Sequence, residues 1–157
     1  MEKIRVSLKS SGISGVAAFM DDRAPRTSAS VLEALPCEGP VFHAKWANNE
    51  IFTILGPLET DPGRENPTMM PIPGDLLYFY IPPGDFVPLD ANPNHRQTGS
   101  IDLALFYGRE NYLMGPMGPM PGNLFATLET GLPELAVECL RLWREGFANE
   151  RLVFERA

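Results

Sequence analysis

The stretch LLYFYI at residues 76–81 decides the fold class, because every position in it is aliphatic or aromatic. Gly-Asp at 74–75 supplies a turn before it, and Pro-Pro-Gly-Asp at 82–85 ends it. Strands that are apolar on both faces are covered on both faces. The sequence therefore predicts a central β-strand here, within a proline-rich part of the chain.

Segments on both sides of this run are rich in alternating apolar positions or in β-branched and aromatic residues, which indicates further strands. Short turns join neighbouring segments, so hairpins are expected between residues 8 and 16 and around residues 47–50. The predicted strands are residues 4–8, 16–20, 41–46, 51–55, 101–107 and 152–154.

Two segments predict helices. In residues 27–35 the apolar side chains have helical spacing, Thr27 or Ser28 can cap the first turn, and Pro36 ends the helix. A longer helix begins near Pro133. Its core-facing stripe comprises Leu135, Ala136, Cys139, Leu142, Trp143 and Phe147. A mainly β class is predicted: a closed or nearly closed barrel of about eight strands with two helices, formed by residues 1–157 as one domain.

The charge balance limits the classes of function. The 157 residues include 13 Lys and Arg against 20 Asp and Glu, which gives a net charge of −7. A mostly negative surface repels nucleic acid and anionic lipid, so we expect neither nucleic acid nor membrane as a partner. Residues 1–5 lack the apolar core of a signal peptide, and Cys37 and Cys139 form no paired motif. These features favour a cytoplasmic location with both cysteines as thiols.

Five segments are distinctive: TSASVLEALP at 27–36, AKWANNEIF at 44–52, PGDLLYF at 73–79, LFYG at 105–108 and PGNLFA at 121–126. In these segments and in their order, the chain resembles the bacterial cyclophilin-like proteins of unknown function. The resemblance covers almost the whole chain. It implies the β-barrel of the cyclophilin prolyl isomerases with shortened loops, and it implies no particular reaction.

One position bears on prolyl isomerase activity. Cyclophilins polarise the isomerising peptide bond with an arginine on a barrel strand, in a Phe-His-Arg sequence that Phe42-His43-Ala44 matches in two places. Ala44 stands where the arginine would be, so the stabilisation of the twisted amide by a guanidinium is lost. The resemblance therefore implies a chain without efficient prolyl isomerase activity.

Aromatic strand residues beside an arginine favour a binding cleft. Such side chains can line an apolar cleft, and a guanidinium at a strand end can hold one carboxylate or amide. We expect a cleft in the side of the barrel that binds a small molecule or a short peptide, with Arg109 holding an anion. The expected lining residues are Phe42, His43, Trp46, Tyr78, Tyr80, Phe106 and Arg109.

Two other functions stay open. A small-molecule hydrolase or isomerase could use His43 as base, with Glu50 or Glu65 as its carboxylate partner. An assembly module could use the methionines of the proline-rich loops, and such exposed apolar loops favour a homo-oligomer. The two histidines have no ligand spacing and no glycine-rich phosphate motif is present, so no metal and no cofactor is expected.

Overall fold

The computed structural model describes residues 2–88 and 91–157, and within these residues it has twelve strands and three helices. The strands are β1 Lys3–Leu8, β2 Ser14–Phe19, β3 Cys37–Pro40, β4 Phe42–His43, β5 Glu50–Leu55, β6 Pro67–Thr68, β7 Asp75–Ile81, β8 Ser100–Phe106, β9 Met114–Gly115, β10 Gly118–Pro119, β11 Gly122–Thr130 and β12 Arg151–Arg156. The helices are α1 Pro25–Ala34, α2 His95–Thr98 and α3 Leu132–Glu145. The mainly β class is confirmed. The strand count exceeds eight, partly because four of these strands contain only two residues.

The main sheet curls into a nearly closed antiparallel barrel. Its strands follow the order β3-β12-β1-β2-β11-β7-β8-β5-β4, with β6 paired to the side of β11. The two end strands, β3 and β4, are separated in the chain by Val41 alone, which brings the two edges of the sheet together. Gly39 of β3 permits this approach, because a Cβ atom there would collide with the Thr53 hydroxyl of β5.

The barrel interior holds the main hydrophobic core. Strands β1, β2, β11, β7, β8 and β5 all contribute side chains to this core. Examples are Val6 of β1, Leu103 of β8 and Ile51 of β5. Helix α3 packs against β2 and buries Leu135. Of the stripe predicted for α3, Cys139 and Leu142 are also buried. Trp143 is 60% exposed, because it lies at the edge of that stripe.

A second hydrophobic cluster covers the outer face of the same region. It contains Leu77, Phe79, Ala104 and Phe106, together with two residues from the loops that cross this face. The central position of β7, between β11 and β8, is therefore confirmed, and its double-sided apolar sequence is explained by cover on both faces. None of the helices within the described residues is long and apolar enough to cross a membrane.

Three predictions about local structure are wrong in detail. The strand predicted at 41–46 ends at His43, because the chain then turns back through a loop in which Asn48 has a φ of 72°. Helix α1 starts at Pro25, after Ala24, and its first turn is capped by the distant Glu65 and not by Thr27 or Ser28.

The long strand β11 was not predicted. Its pairing register shifts between Leu124 and Ala126 against β7, and between Leu128 and Thr130 against β2. Each bulge inserts a residue and breaks the alternation of apolar and polar positions on which strand prediction depends.

Candidate functional site

A cavity of about 560 Å³ lies on the outer face of β4, β5, β8 and β7. Three loops, residues 44–47, 85–88 and 113–120, rise around it and form its walls. The strands supply the base of the cavity with the side chains of Phe42, Glu50, Phe52, Ile54, Phe79, Ile81 and Asp102. The base is therefore mostly apolar, and two carboxyl groups, those of Glu50 and Asp102, are set into it.

The wall formed by residues 113–120 is a short hairpin of β9 and β10. Met114, Met117 and Met120 from this segment line the cavity, and Met117 is 71% exposed. Thioether side chains are flexible and polarisable, so they adapt to the shape of what they contact. The methionines of the proline-rich loops were considered as an assembly surface, and in the structure this segment stands over the cavity.

The wall formed by residues 85–88 is held in place by a buried histidine. The His95 ring contacts the Asp85 carbonyl at 2.8 Å through Nε2 and the Ser100 hydroxyl at 2.9 Å through Nδ1. His95 is only 6% exposed, so it acts as a fixed support. The loop it supports places Phe86, 62% exposed, at the cavity.

The two carboxyl groups lie on one face of two paired strands. Asp102 of β8 is opposite Ile54 of β5 on one side and Phe79 of β7 on the other. Glu50 is four positions before Ile54, so it projects from the same face of β5, with Phe52 between them. Glu50 is 5% exposed and Asp102 is 7% exposed.

Both carboxyl groups resist ionisation. Burial raises the pKa of Glu50 to about 8. Burial, and after it repulsion from Glu50, raises the pKa of Asp102 well above its usual value. The Asp102 Oδ1 atom is buried and has no hydrogen-bond partner within residues 2–88 and 91–157. The cavity thus holds two acids whose charged forms lack stabilising partners.

Four of the seven predicted site residues border this cavity: Phe42, His43, Trp46 and Tyr80. The other three lie elsewhere. Tyr78 is in the core cluster of the interior, and Phe106 is fully buried in the outer cluster. Arg109 is in the exposed loop after β8, where its carbonyl accepts hydrogen bonds from Asn48 and Asn49.

The His43 ring is turned away from both carboxylates that were considered as its partners. In the β4–β5 pair it is opposite Ile51, an interior residue. Nδ1 lies 2.8 Å from the Ala44 carbonyl and Nε2 lies 2.6 Å from the Tyr107 hydroxyl. Because a carbonyl only accepts, Nδ1 carries the proton and Nε2 accepts from Tyr107. Burial lowers the pKa of His43, against the hydrogen bond to Ala44, so the neutral ring is favoured.

Glu65, the other carboxylate considered, caps helix α1. It accepts hydrogen bonds from the Thr27 amide at 2.7 Å and the Arg26 amide at 3.3 Å. Burial acts to raise its pKa, but these hydrogen bonds outweigh burial and lower the pKa of Glu65. The expected pairing of His43 with Glu50 or Glu65 is therefore not formed in this structure.

The sequence analysis missed Asp102 and most of the apolar base. One signal was present, because Asp102 is the only charged residue in the segment SIDLALF of β8. A charged residue in an apolar strand is seldom buried without a partner or a function. No comparable signal in the sequence indicated that the loops 44–47, 85–88 and 113–120 form the walls of one cavity.

The family of the chain is shown by its sequence. The family described as a protein of unknown function, DUF3830, matches residues 6–154. The chain belongs to this family. No curated protein sequence matches it.

Two solved structures share the fold of this DUF3830 chain. One is McbB in complex with tryptophan, at 18% identity and a TM-score of 0.63, covering 97% of this chain and 44% of McbB. The other is the solution structure of the hypothetical protein AF2241 from Archaeoglobus fulgidus, at 17% identity and a TM-score of 0.51, covering 99% of this chain and 95% of AF2241. The chain thus spans less than half of McbB, and at these identities the likeness concerns the fold alone.

Proposed function

We propose that this DUF3830 protein binds a small molecule, or a short peptide, in the cavity on the outer face of its barrel. The observation that carries the proposal is the cavity itself, about 560 Å³ with mostly apolar walls and a few polar groups. Small-molecule sites in proteins have this size and this composition. A ligand with an apolar body would cover the base formed by Phe52, Ile54 and Phe79.

The residues around the mouth support this proposal. Trp46 is 55% exposed, Phe86 is 62% exposed and Met117 is 71% exposed, and all three line the cavity. Exposed apolar side chains gathered around one opening are typical of surfaces that bind something. The aromatic rings also provide flat contact area at a small cost in conformational entropy.

We also propose that the barrel is of the cyclophilin-like type and lacks efficient prolyl isomerase activity. Ala44 lines the cavity, and no arginine is found among the described residues around it. A bound prolyl peptide would therefore meet no guanidinium from these walls. A standard prolyl-peptide assay with a cyclophilin as positive control tests this point, and isomerisation at the rate of that control would refute it.

The two tryptophans give a direct test of binding, because Trp46 lines the cavity and Trp143, 60% exposed, does not. Each of the variants W143F and W46F keeps one fluorophore. A library of small non-fluorescent aromatic and aliphatic compounds is titrated into both. Tryptophan, which is itself fluorescent, is titrated by calorimetry, because part of McbB, whose structure holds tryptophan, has a similar fold. Binders should change Trp46 emission in W143F more than Trp143 emission in W46F, because Trp143 is outside the lining and is connected to the cavity only through its neighbour His43.

A matched pair of charged variants locates the site. Met117 lines the cavity and Met70 does not, although they are 71% and 68% exposed. M117E should weaken every binder at least about tenfold by placing a charge at the apolar mouth. M70E should leave affinity unchanged. Binders that respond equally to both variants, or a library with no binder at all, would refute the proposal.

A further inference from the structure

We propose that the ligand of this cavity carries a basic amine, and that its ammonium group binds at Asp102, with Glu50 reinforcing the charge. This inference rests on the proposed function and names the chemical class of the ligand. It concerns the two carboxyl groups at the base of the cavity, Glu50 and Asp102.

The first support is the unpartnered oxygen of Asp102. A buried carboxyl oxygen without a hydrogen bond is unfavourable, and nearly all such atoms in folded proteins have a partner. Asp102 Oδ1 has none among the described residues, yet Asp102 lines an open cavity. Oδ1 itself has almost no accessible surface, so a ligand donor would bind the Asp102 carboxyl group where it borders the cavity, and rotation of the carboxyl group would bring either oxygen to that donor. An ammonium group is the strongest common donor to a carboxylate.

The second support is the balance of charge around the cavity. The titratable groups that line it are His43 from β4, Lys45 from the loop 44–47, Glu50 from β5, Tyr80 from β7, Asp85 from the loop 85–88 and Asp102 from β8. His43 is engaged by Tyr107, and Lys45 lies in the exposed part of its loop. Among the described residues, the ionisable groups at the base of the cavity are therefore the two acids, which favours a cationic ligand group over an anionic one.

The number of acids argues against a metal ion. Within residues 2–88 and 91–157, no three side chains of His, Cys, Asp or Glu come together as a metal site would require. Calcium and magnesium take six or more oxygen ligands, and two carboxyls four positions apart along a sheet face supply few of them. A single ammonium has three donors and needs fewer partners.

The proton balance also favours an amine over a neutral ligand group. Burial raises the pKa of Glu50 to about 8, and burial with repulsion from Glu50 raises the pKa of Asp102 well above its usual value, so the protonated form of both acids is favoured. A neutral amine that enters the site takes the proton from Asp102, which leaves an ammonium–carboxylate pair. An amine that is already protonated in water binds while the carboxyl proton leaves to solvent. In the first case the carboxyl proton moves to the amine, and in the second it moves to solvent. The product in both cases is an ammonium–carboxylate ion pair at the apolar base of the cavity.

Aromatic residues flank the proposed ammonium position. Phe79 is directly opposite Asp102 on β7, and Phe52 projects from the same face of β5. Gly122 of β11 leaves room for the Phe79 ring, because a Cβ atom there would fall 2.5 Å from it. Ring faces attract cations and ring edges contact apolar groups, so the site suits an amine on an apolar or aromatic body.

The experiment compares matched amines and alcohols. A panel of monoamines, led by 2-phenylethylamine, and of alcohols of the same shape, led by 2-phenylethanol, is titrated calorimetrically at pH 6, 7 and 8 in buffers of different ionisation enthalpy. The amines should bind more tightly than the alcohols, with an affinity that rises up to about tenfold per pH unit and with about one proton released per amine bound. The alcohols should show no such rise.

Isosteric variants locate the effect. D102N should remove the preference for amines and the rise with pH, and E50Q should reduce both, while the alcohols still bind. D75N is the control, because Asp75 is a buried acid outside the cavity. Its carboxylate accepts hydrogen bonds from the Ile72 amide and the Thr127 hydroxyl, and a side-chain amide can accept from the first and donate to the second. D75N should leave the preference unchanged.

The outcomes separate the two proposals. Alcohols that bind as well as amines, or an amine preference that survives D102N, would overturn the amine assignment and leave the cavity as a neutral binding site. An alcohol affinity that falls with pH, together with an amine affinity that does not rise, would mean that a protonated carboxyl donates to the alcohol oxygen, which also overturns the amine assignment. A panel in which no member binds would count against both the amine and the proposed function.

Discussion

The two faces of the β5–β8–β7 region each bury one polar oxygen without a partner, but they differ in what surrounds it. Within the described residues these atoms are Thr53 Oγ1 on the interior side and Asp102 Oδ1 on the outer side. Thr53 packs directly against Gly39, so nothing else can approach its hydroxyl. Asp102 lies beside a cavity of about 560 Å³. An unpartnered oxygen thus lies in closed packing on one face and belongs, on the other face, to a carboxyl group that borders a cavity.

The largest expected difference between the faces is in packing. Leu105 is fully buried in the interior, and L105A should destabilise the protein by about 3 kcal/mol by leaving a cavity in a closed core. Phe52 borders the outer cavity, where truncation only enlarges existing space, so F52A should cost about half as much. Urea denaturation measures the free energy of unfolding of both variants. Equal decreases in L105A and F52A would mean that the outer face is packed as tightly as the interior core.

The second prediction concerns pH and Glu50. The pKa of Glu50 is about 8 in the folded protein against a usual value of 4.5, so between these values the unfolded chain binds fewer protons. Stability should therefore fall as pH rises through this window, by up to about 1.4 kcal/mol per pH unit for this group. E50Q should have a flatter profile than the natural protein in denaturation at pH 5, 6, 7 and 8. Parallel profiles would show that Glu50 is not the cause.

The third prediction tests the interior defect. G39A should cost about 2 kcal/mol, because its Cβ collides with the Thr53 hydroxyl where the barrel closes. The control G56A should cost much less, since a Cβ at Gly56 meets nothing within 4 Å. The double variant G39A/T53A removes the colliding oxygen and should recover part of the loss. A double variant no more stable than G39A would disprove this account of the closure.

The smallest expected effect is at the cap of helix α1. E65Q keeps the shape of the side chain but weakens its hydrogen bonds to the Thr27 and Arg26 amides, so about 1 kcal/mol should be lost at pH 7. Because the pKa of Glu65 is lowered in the folded state, this loss should shrink as the pH falls through the folded-state pKa. The outer cavity is remote from this contact, so ligand affinity should stay the same. A changed affinity would show that the cap and the cavity are coupled.

Strands with regular alternation were predicted well from the sequence. β1, β7 and β8 lie within about a residue of the predicted bounds, because each has a fully apolar face or is covered on both faces. β11 was missed because its two bulges interrupt the pattern. The barrel class followed from the count of strands, whereas the closure depends on a contact between Gly39 and Thr53 that no periodicity encodes.

Of the residues predicted to line a cleft, Phe42, His43, Trp46 and Tyr80 border the cavity. That they bind a ligand stays a prediction. The acids were not recognised as a pair, because Glu50 and Asp102 are brought to one face by the pairing of β5 with β8. The walls could not be predicted, since three loops far apart in sequence meet only in the folded chain. Self-association through the exposed rim stays a prediction that molar mass in solution can test.

The central claim is that the space beside Asp102 receives a ligand. The most direct measurement is a crystal structure of the protein as purified from its expression host and after soaking with 2-phenylethylamine. The account predicts density between Phe52 and the hairpin 113–120, with a donor atom within hydrogen-bond distance of the Asp102 carboxyl group. A hairpin collapsed onto Phe52 and Phe79, with no density in either crystal, would contradict it.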